Sequence, residues 1–139
     1  MNKPFEIILD IRTESEANGG AKKTVIRNGK KIYKTEHWSE KNKRHKAQKK
    51  MVWWALNDKR PPTTTPAIFT LTRVAPRYMD EDNLQSSFKA IRDQCADYIH
   101  PGLAPGRADG LGDITFIYKQ EKGAPKEYKI KIEISLANI

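Results

Sequence analysis

Three consecutive acidic residues, Asp80-Glu81-Asp82, follow directly on Arg77-Tyr78-Met79 in a chain of formal net charge +9. No acidic residue occurs between Asp58 and Asp80. In an extended segment, residues two apart point to the same side, so Asp80 and Asp82 would present two carboxylates together. Such a pair suits Mg²⁺, which takes oxygen ligands and keeps several of its waters. Asn83-Leu84 then opens a helix. On it Ser86, Lys89 and Asp93 fall within about 40° of the direction of Asp82, at 3.6 residues per turn. Lys89 is thus spaced to meet a phosphate held near Asp82. Plainer roles exist for the same residues. Asp82 can cap the helix, with Gln85 completing a capping box. Asp80 and Glu81 can be favourable charges at a helix N-terminus, and Lys89 can be a solvated partner of Asp93 at i+4.

Two further carboxylates, Asp109 and Asp113, lie in the turn-rich loop 103–113 among Gly106, Gly110 and Gly112. Turn chemistry alone accounts for an Asp-Gly pair. A strand returning beside 67–75 would bring this loop near Asp80. His37, His45 and His100 have no partner at ligand spacing, so zinc is not expected. His45 belongs with the basic face of its helix, and His100 ends a helix. Trp53-Trp54 can stack on bases, but core packing or a subunit interface is the favoured expectation. No nucleotide-binding loop is present: Gly19-Gly20 lacks a following Gly-Lys-Ser.

The elements that must position these residues follow from periodicity. Phe5, Ile7, Leu9 and Ile11 alternate with Glu6, Ile8, Asp10 and Arg12, which reads as a strand. Residues 13–22 read as a loop. Residues 23–34 place Asn28-Gly29 between two strand-like arms, the signature of a type I′ hairpin. Ser39 is a candidate cap for a helix running to about Asn57. Ala47, Met51, Trp54 and Ala55 are expected on its buried face. Residues 67–75 read as a strand. The spacing of Leu84, Phe88, Ile91, Cys95 and Tyr98 predicts a helix from about Asn83 to Ile99, ended by His100-Pro101-Gly102. Residues 113–120 and 127–134 read as strands joined in a hairpin by 121–126. The expectation is a single α/β domain, a mixed sheet with two main helices packed on it.

The chain has 139 residues, which fits one domain that folds without staples. Lys and Arg number 26 against 17 Asp and Glu, an excess that points to a polyanionic partner. The basic residues cluster: Lys30, Lys31 and Lys34 in the hairpin, and Lys41, Lys43, Arg44, Lys46 and Lys49 in the first half of the helix. With Arg77 they form the set expected to contact that polyanion. No apolar run reaches the roughly 20 residues of a spanning helix. Met1-Asn2-Lys3-Pro4 leads straight into a strand, so no signal peptide is expected. One cysteine, Cys95, allows no internal disulfide and no thiolate zinc site, which fits a reducing cytoplasmic location.

Asp80-x-Asp82-Asn83-Leu84-Gln85, followed by Phe88-x-Ala90-Ile91, resembles the D-x-D-N-L motif of RusA-type Holliday junction resolvases. The likeness extends through the helix, the Asp-bearing loop and the strand from Ile114, over roughly residues 66–134. The first 65 residues agree only in element order. The resemblance implies a homodimeric, Mg²⁺-dependent endonuclease (Mn²⁺ is the alternative metal) that makes paired cuts in four-way DNA junctions, in recombination and repair, in a phage or its host. It implies three metal-holding aspartates: Asp80, Asp82 and either Asp109 or Asp113. The sequence departs from the family pattern at Ala108, where the family often has the first Asp of a pair. It departs again at Ser86, where a functional lysine is common; Lys89, one turn on, is the expected substitute. The rival expectations are a nuclease for other branched DNA such as flaps, and a non-catalytic DNA-binding module.

Overall fold

The structure, a computed structural model, describes residues 5–13, 22–35, 38–103 and 108–136. The expected 13–22 loop falls mostly outside them. Among these described residues six strands and three helices follow in the order β1 (Phe5–Leu9), β2 (Lys22–Arg27), β3 (Lys30–Thr35), α1 (Trp38–Lys59), β4 (Ala67–Ala75), α2 (Glu81–Ser87), α3 (Lys89–Ile99), β5 (Ile114–Lys122) and β6 (Lys129–Leu136). A single 3-10 turn, Ala108–Gly110, precedes β5. The architecture is a mixed α/β fold, as expected. A four-stranded sheet runs in the order β1-β6-β4-β5, and β2 and β3 form a separate two-stranded ribbon. Asn28 and Gly29 at the ribbon's turn have φ of 50° and 75°, the paired positive values of a type I′ turn.

One face of the sheet builds the core. Register sets Ile7 opposite Ile132, Ile132 opposite Leu71, and Leu71 opposite Tyr118; the next layer aligns Ile134, Phe69 and Phe116. Phe69 and Phe116 stack with ring centroids 5.5 Å apart. From the helices, Val52 and Leu56 of α1, Leu84 of α2, and Phe88, Ile91, Cys95 and Ile99 join the same cluster. The apolar stripe expected over 84–98 is therefore the buried one.

Four expectations are corrected. The predicted single helix breaks at Phe88, whose N–H reaches Gln85 O at 3.2 Å instead of the carbonyl four residues back. Ser86 and Ser87 Oγ donate to the carbonyls of Asn83 and Leu84, three residues back, at 3.1 and 2.7 Å. Such back-bonding competes with the helical ladder and bends it. Ser39 does not cap α1, because the helix already includes Trp38. The buried face of α1 is Gln48, Val52 and Leu56, with Ala55 partly covered; Ala47, Met51 and Trp54 are exposed. Residues 51–56 are apolar without interruption, so periodicity could not choose their inward face. Finally, β5 and β6 are not paired to each other. Strand β4 lies between them, parallel to β5 and antiparallel to β6. The 123–128 connection passes the end of β4, where Gly123 N–H bonds Ala75 O at 2.8 Å. A Cβ on Gly123 would come 2.8 Å from Glu127 Oε1, which can swing aside, and 3.2 Å from Glu127 O and Val74 Cγ1, so the crossing is tight.

Candidate functional site

The chain leaves β4 at Ala75 and is turned back by two side chains from the sheet. Arg73 Nη1 donates to Arg77 O at 2.7 Å. Gln120 of β5 holds Met79 by both ends of its amide: Met79 N–H donates to Oε1 at 2.9 Å and Nε2 donates to Met79 O at 2.8 Å. This amide clamp fixes the residue immediately before Asp80. Neither contact is legible locally, since Gln120 and Met79 are 41 residues apart.

Asp80 occupies the N-cap position of α2, with φ −61° and ψ 153°, and its carbonyl accepts the Leu84 N–H at 2.8 Å. Its side chain makes no capping hydrogen bond. Asp82 is not the cap. It lies in the first helical turn, so the strand rule that paired it with Asp80 stops applying at Asp80. Asp80, Glu81 and Asp82 are all exposed. Among the described residues, none donates to or pairs with their carboxylates.

The helical face derived from the sequence is present. Asp82, Gln85, Ser86, Lys89, Arg92 and Asp93, with Tyr118 of β5, line an open surface depression of about 500 Å³. Arg92 is pinned there: Nη1 donates to the Tyr118 hydroxyl at 2.9 Å, and the guanidinium lies 4.6 Å from the Phe116 ring centroid. Lys89 is exposed and makes no ion pair among the described residues, so it is not tied to Asp93. Arg92 and Tyr118 were missed by sequence reasoning. Arg92 sits at i+3 from Lys89, a signal that was available; Tyr118 gave none.

The second acidic group is placed elsewhere. The strand from Ile114 does return beside 67–75, but parallel to it, with Ala67 opposite Ile114. The 103–113 loop therefore arrives at the N-terminal end of β4. Asp113 O accepts the Ala67 N–H at 3.0 Å, whereas Met79 is clamped at Gln120. Six residue steps of β5 separate Ile114 from Gln120, about 20 Å at 3.3 Å per residue. Asp113 is thus not beside Asp80, and its carboxylate meets His100 Nε2 at 2.8 Å instead. His100 both ends α3 and bridges to β5. Asp109 lies in the 3-10 turn leading to that same end of β5; its side chain is outside the described residues. Among the described residues no three His, Cys, Asp or Glu are grouped to hold a metal.

Of the basic set, Lys30, Lys43, Lys46 and Arg77 are exposed, and Lys41, Arg44 and Lys49 are half-buried along α1; the side chains of Lys31 and Lys34 lie outside the described residues. Trp53 and Trp54 are 46% and 60% exposed, which removes the core-packing expectation for them. No described helix is long and apolar enough to cross a membrane. Compared with family models and with curated proteins, the sequence matches none.

Proposed function

We propose that this chain is a divalent-metal-dependent, structure-specific endonuclease acting on branched DNA, with the four-way junction as its substrate. The observation that carries the reading is the two exposed carboxylates at the start of α2, Asp80 at the N-cap and Asp82 on the face that bears Lys89, unpaired among the described residues, in a protein of net charge +9. As exposed anions at a helix N-terminus these carboxylates stabilise by only about 0.3–1 kcal/mol, and their side chains are free of any capping bond, which leaves their oxygens available to a cation. The D-x-D-N-L resemblance supports the same reading.

Mg²⁺ suits carboxylate ligands and usually keeps several waters, so Asp80 and Asp82 are the residues that would hold it. When bound, the cation polarises the scissile phosphate and lowers the pKa of water. The chain supplies the rest. Asp80 and Asp82 would hold the ion, with Asp80 positioned through the Met79–Gln120 clamp. Lys89 meets the negative charge that builds on the phosphate oxygens. The hairpin and α1 cations, with Arg77, neutralise backbone phosphates and make binding steeply salt-dependent. No base-reading motif is present, so branch shape dominates recognition. A two-fold dimer supplies a second site for the opposing strand.

The placement of Asp113 away from Asp80 favours one alternative, a branched-DNA-binding protein that does not cut. Cleavage of an end-labelled four-way junction against a matched linear duplex, with and without Mg²⁺, separates the two. Paired, Mg²⁺-dependent cuts confined to the junction are expected. Binding without cuts, under Mg²⁺ and Mn²⁺ alike, would overturn the nuclease reading.

A further inference from the structure

The outer face of α1 is both basic and aromatic. Counting 100° per residue, Lys43, Lys46, Lys50, Trp53 and Trp54 fall within about 60° of one direction. That direction is opposite the buried Gln48, Val52 and Leu56. All five are exposed. The two indoles meet edge to face, with centroids 5.0 Å apart and planes at 87°. They form a corner, in which a planar ring laid on one indole meets the other edge-on. Beside Trp53 a groove of about 340 Å³ opens between α1 and α3, with Leu56, Tyr98 and Leu103 among its lining residues.

We infer that this face binds single-stranded DNA, with unpaired bases stacking on Trp53 and Trp54 and the strand's phosphates following Lys50, Lys46 and Lys43. Aromatic faces accept any base, and a cationic track beside them follows the backbone, which is the recurring chemistry of single-strand binding. The charge pattern argues against a second copy of the chain as occupant. An antiparallel two-fold through the Trp53–Trp54 pair would set Lys50 opposite Asn57, which is not acidic, and would leave Lys46 beyond the end of the partner helix at Lys59. A polyanion complements the whole stripe. The one carboxylate lining the groove, Asp97, directs phosphate to the lysines rather than into the groove. The inference takes DNA as the nucleic acid from the proposed function, but it uses none of the residues at Asp80–Asp82.

The test is anisotropy of a labelled oligo(dT) without divalent cation, so cleavage plays no part. Trp53→Ala and Trp54→Ala should each weaken binding roughly 5- to 150-fold, from the 1–3 kcal/mol per stacked base typical of such sites. Trp53→Phe should recover part of the loss. The double variant Lys46→Ala/Lys50→Ala should flatten the salt dependence by about 1.4 log units per decade of salt, at 0.7 per phosphate. Melting curves of the variants should match the wild type. Unchanged oligo(dT) affinity in both tryptophan variants overturns the inference. So does a shift from dimer to monomer with affinity retained, which would make the face a subunit contact. Wild type that cuts junctions without binding oligo(dT) sinks this inference alone; binding without cutting sinks only the nuclease reading.

Discussion

Replacing the two exposed carboxylates separates a metal site from a helix cap. Asp80→Ala would cost about 1 kcal/mol if the side chain capped α2. It makes no capping bond, so that loss should not appear. What remains is the interaction of an exposed anion with the N-terminus of a seven-residue helix, about 0.3–1 kcal/mol at low salt. Opposing it is relief of repulsion within Asp80-Glu81-Asp82, a few tenths of a kcal/mol by analogy with like-charge helix pairs. The net change in Asp80→Ala, Asp80→Asn or Asp82→Asn should stay within about 0.5 kcal/mol, roughly 2 °C in Tm for a domain of this size. Activity should move far more. Losing one of two protein ligands to a cation that contributes several kcal/mol should cost about 3–5 kcal/mol, or 10²- to 10³-fold and more in rate. Single-turnover junction cleavage at saturating protein, beside urea denaturation of the same preparations, reads both quantities. Cleavage within about threefold of wild type, with stability lowered by 1 kcal/mol or more in Asp80→Ala, would return the carboxylates to a capping role.

Lys89→Ala should slow cleavage by about 10²-fold, in the range for removing one group that stabilises transition-state charge, with stability unaltered; an undiminished rate removes Lys89 from the site. Gln48 is buried and, among the described residues, neither of its amide atoms has a partner, so Gln48→Met should raise stability by about 1–2 kcal/mol in urea titration; equal or lower stability would refute that. Burial pushes the Cys95 thiol well above its ordinary range. It should therefore be alkylated at pH 8 only as fast as the protein unfolds, and rapid native labelling would contradict its placement. The sign of the linked pH effect follows. Above the ordinary value of 9.0 the unfolded thiol ionises and the folded one does not. Cys95 then subtracts about 1.4 kcal/mol of stability per pH unit, a slope that Cys95→Val should lack.

Much of the fold could be read along the chain. The strand 67–75 has the bounds read from its residues, the Asn28-Gly29 turn has the backbone its residue types prefer, and Leu84, Phe88, Ile91 and Cys95 are buried as their spacing demands. These are local properties, set by steric preference and a single period. The break at Phe88 was also a local matter, but it depends on how two serine hydroxyls choose between water and backbone, which spacing does not encode.

The sequence by itself determined the element order, the basic charge, the acidic triplet after β4 and the face shared by Asp82, Ser86, Lys89 and Asp93, because each follows from neighbours within about one helix's length. Tertiary structure alone decided three things. Inserting β4 between β5 and β6 made the β4–β5 pair parallel and sent Asp113 to His100, about 20 Å of strand from Gln120. The Gln120 amide, arriving from 41 residues away, fixed the residue before Asp80. And α1 turned Val52 and Leu56 inward, leaving Trp53 and Trp54 to solvent. Each is a choice among strand pairings or helix rotations that satisfy the same local pattern, and only the packing of the whole core distinguishes them.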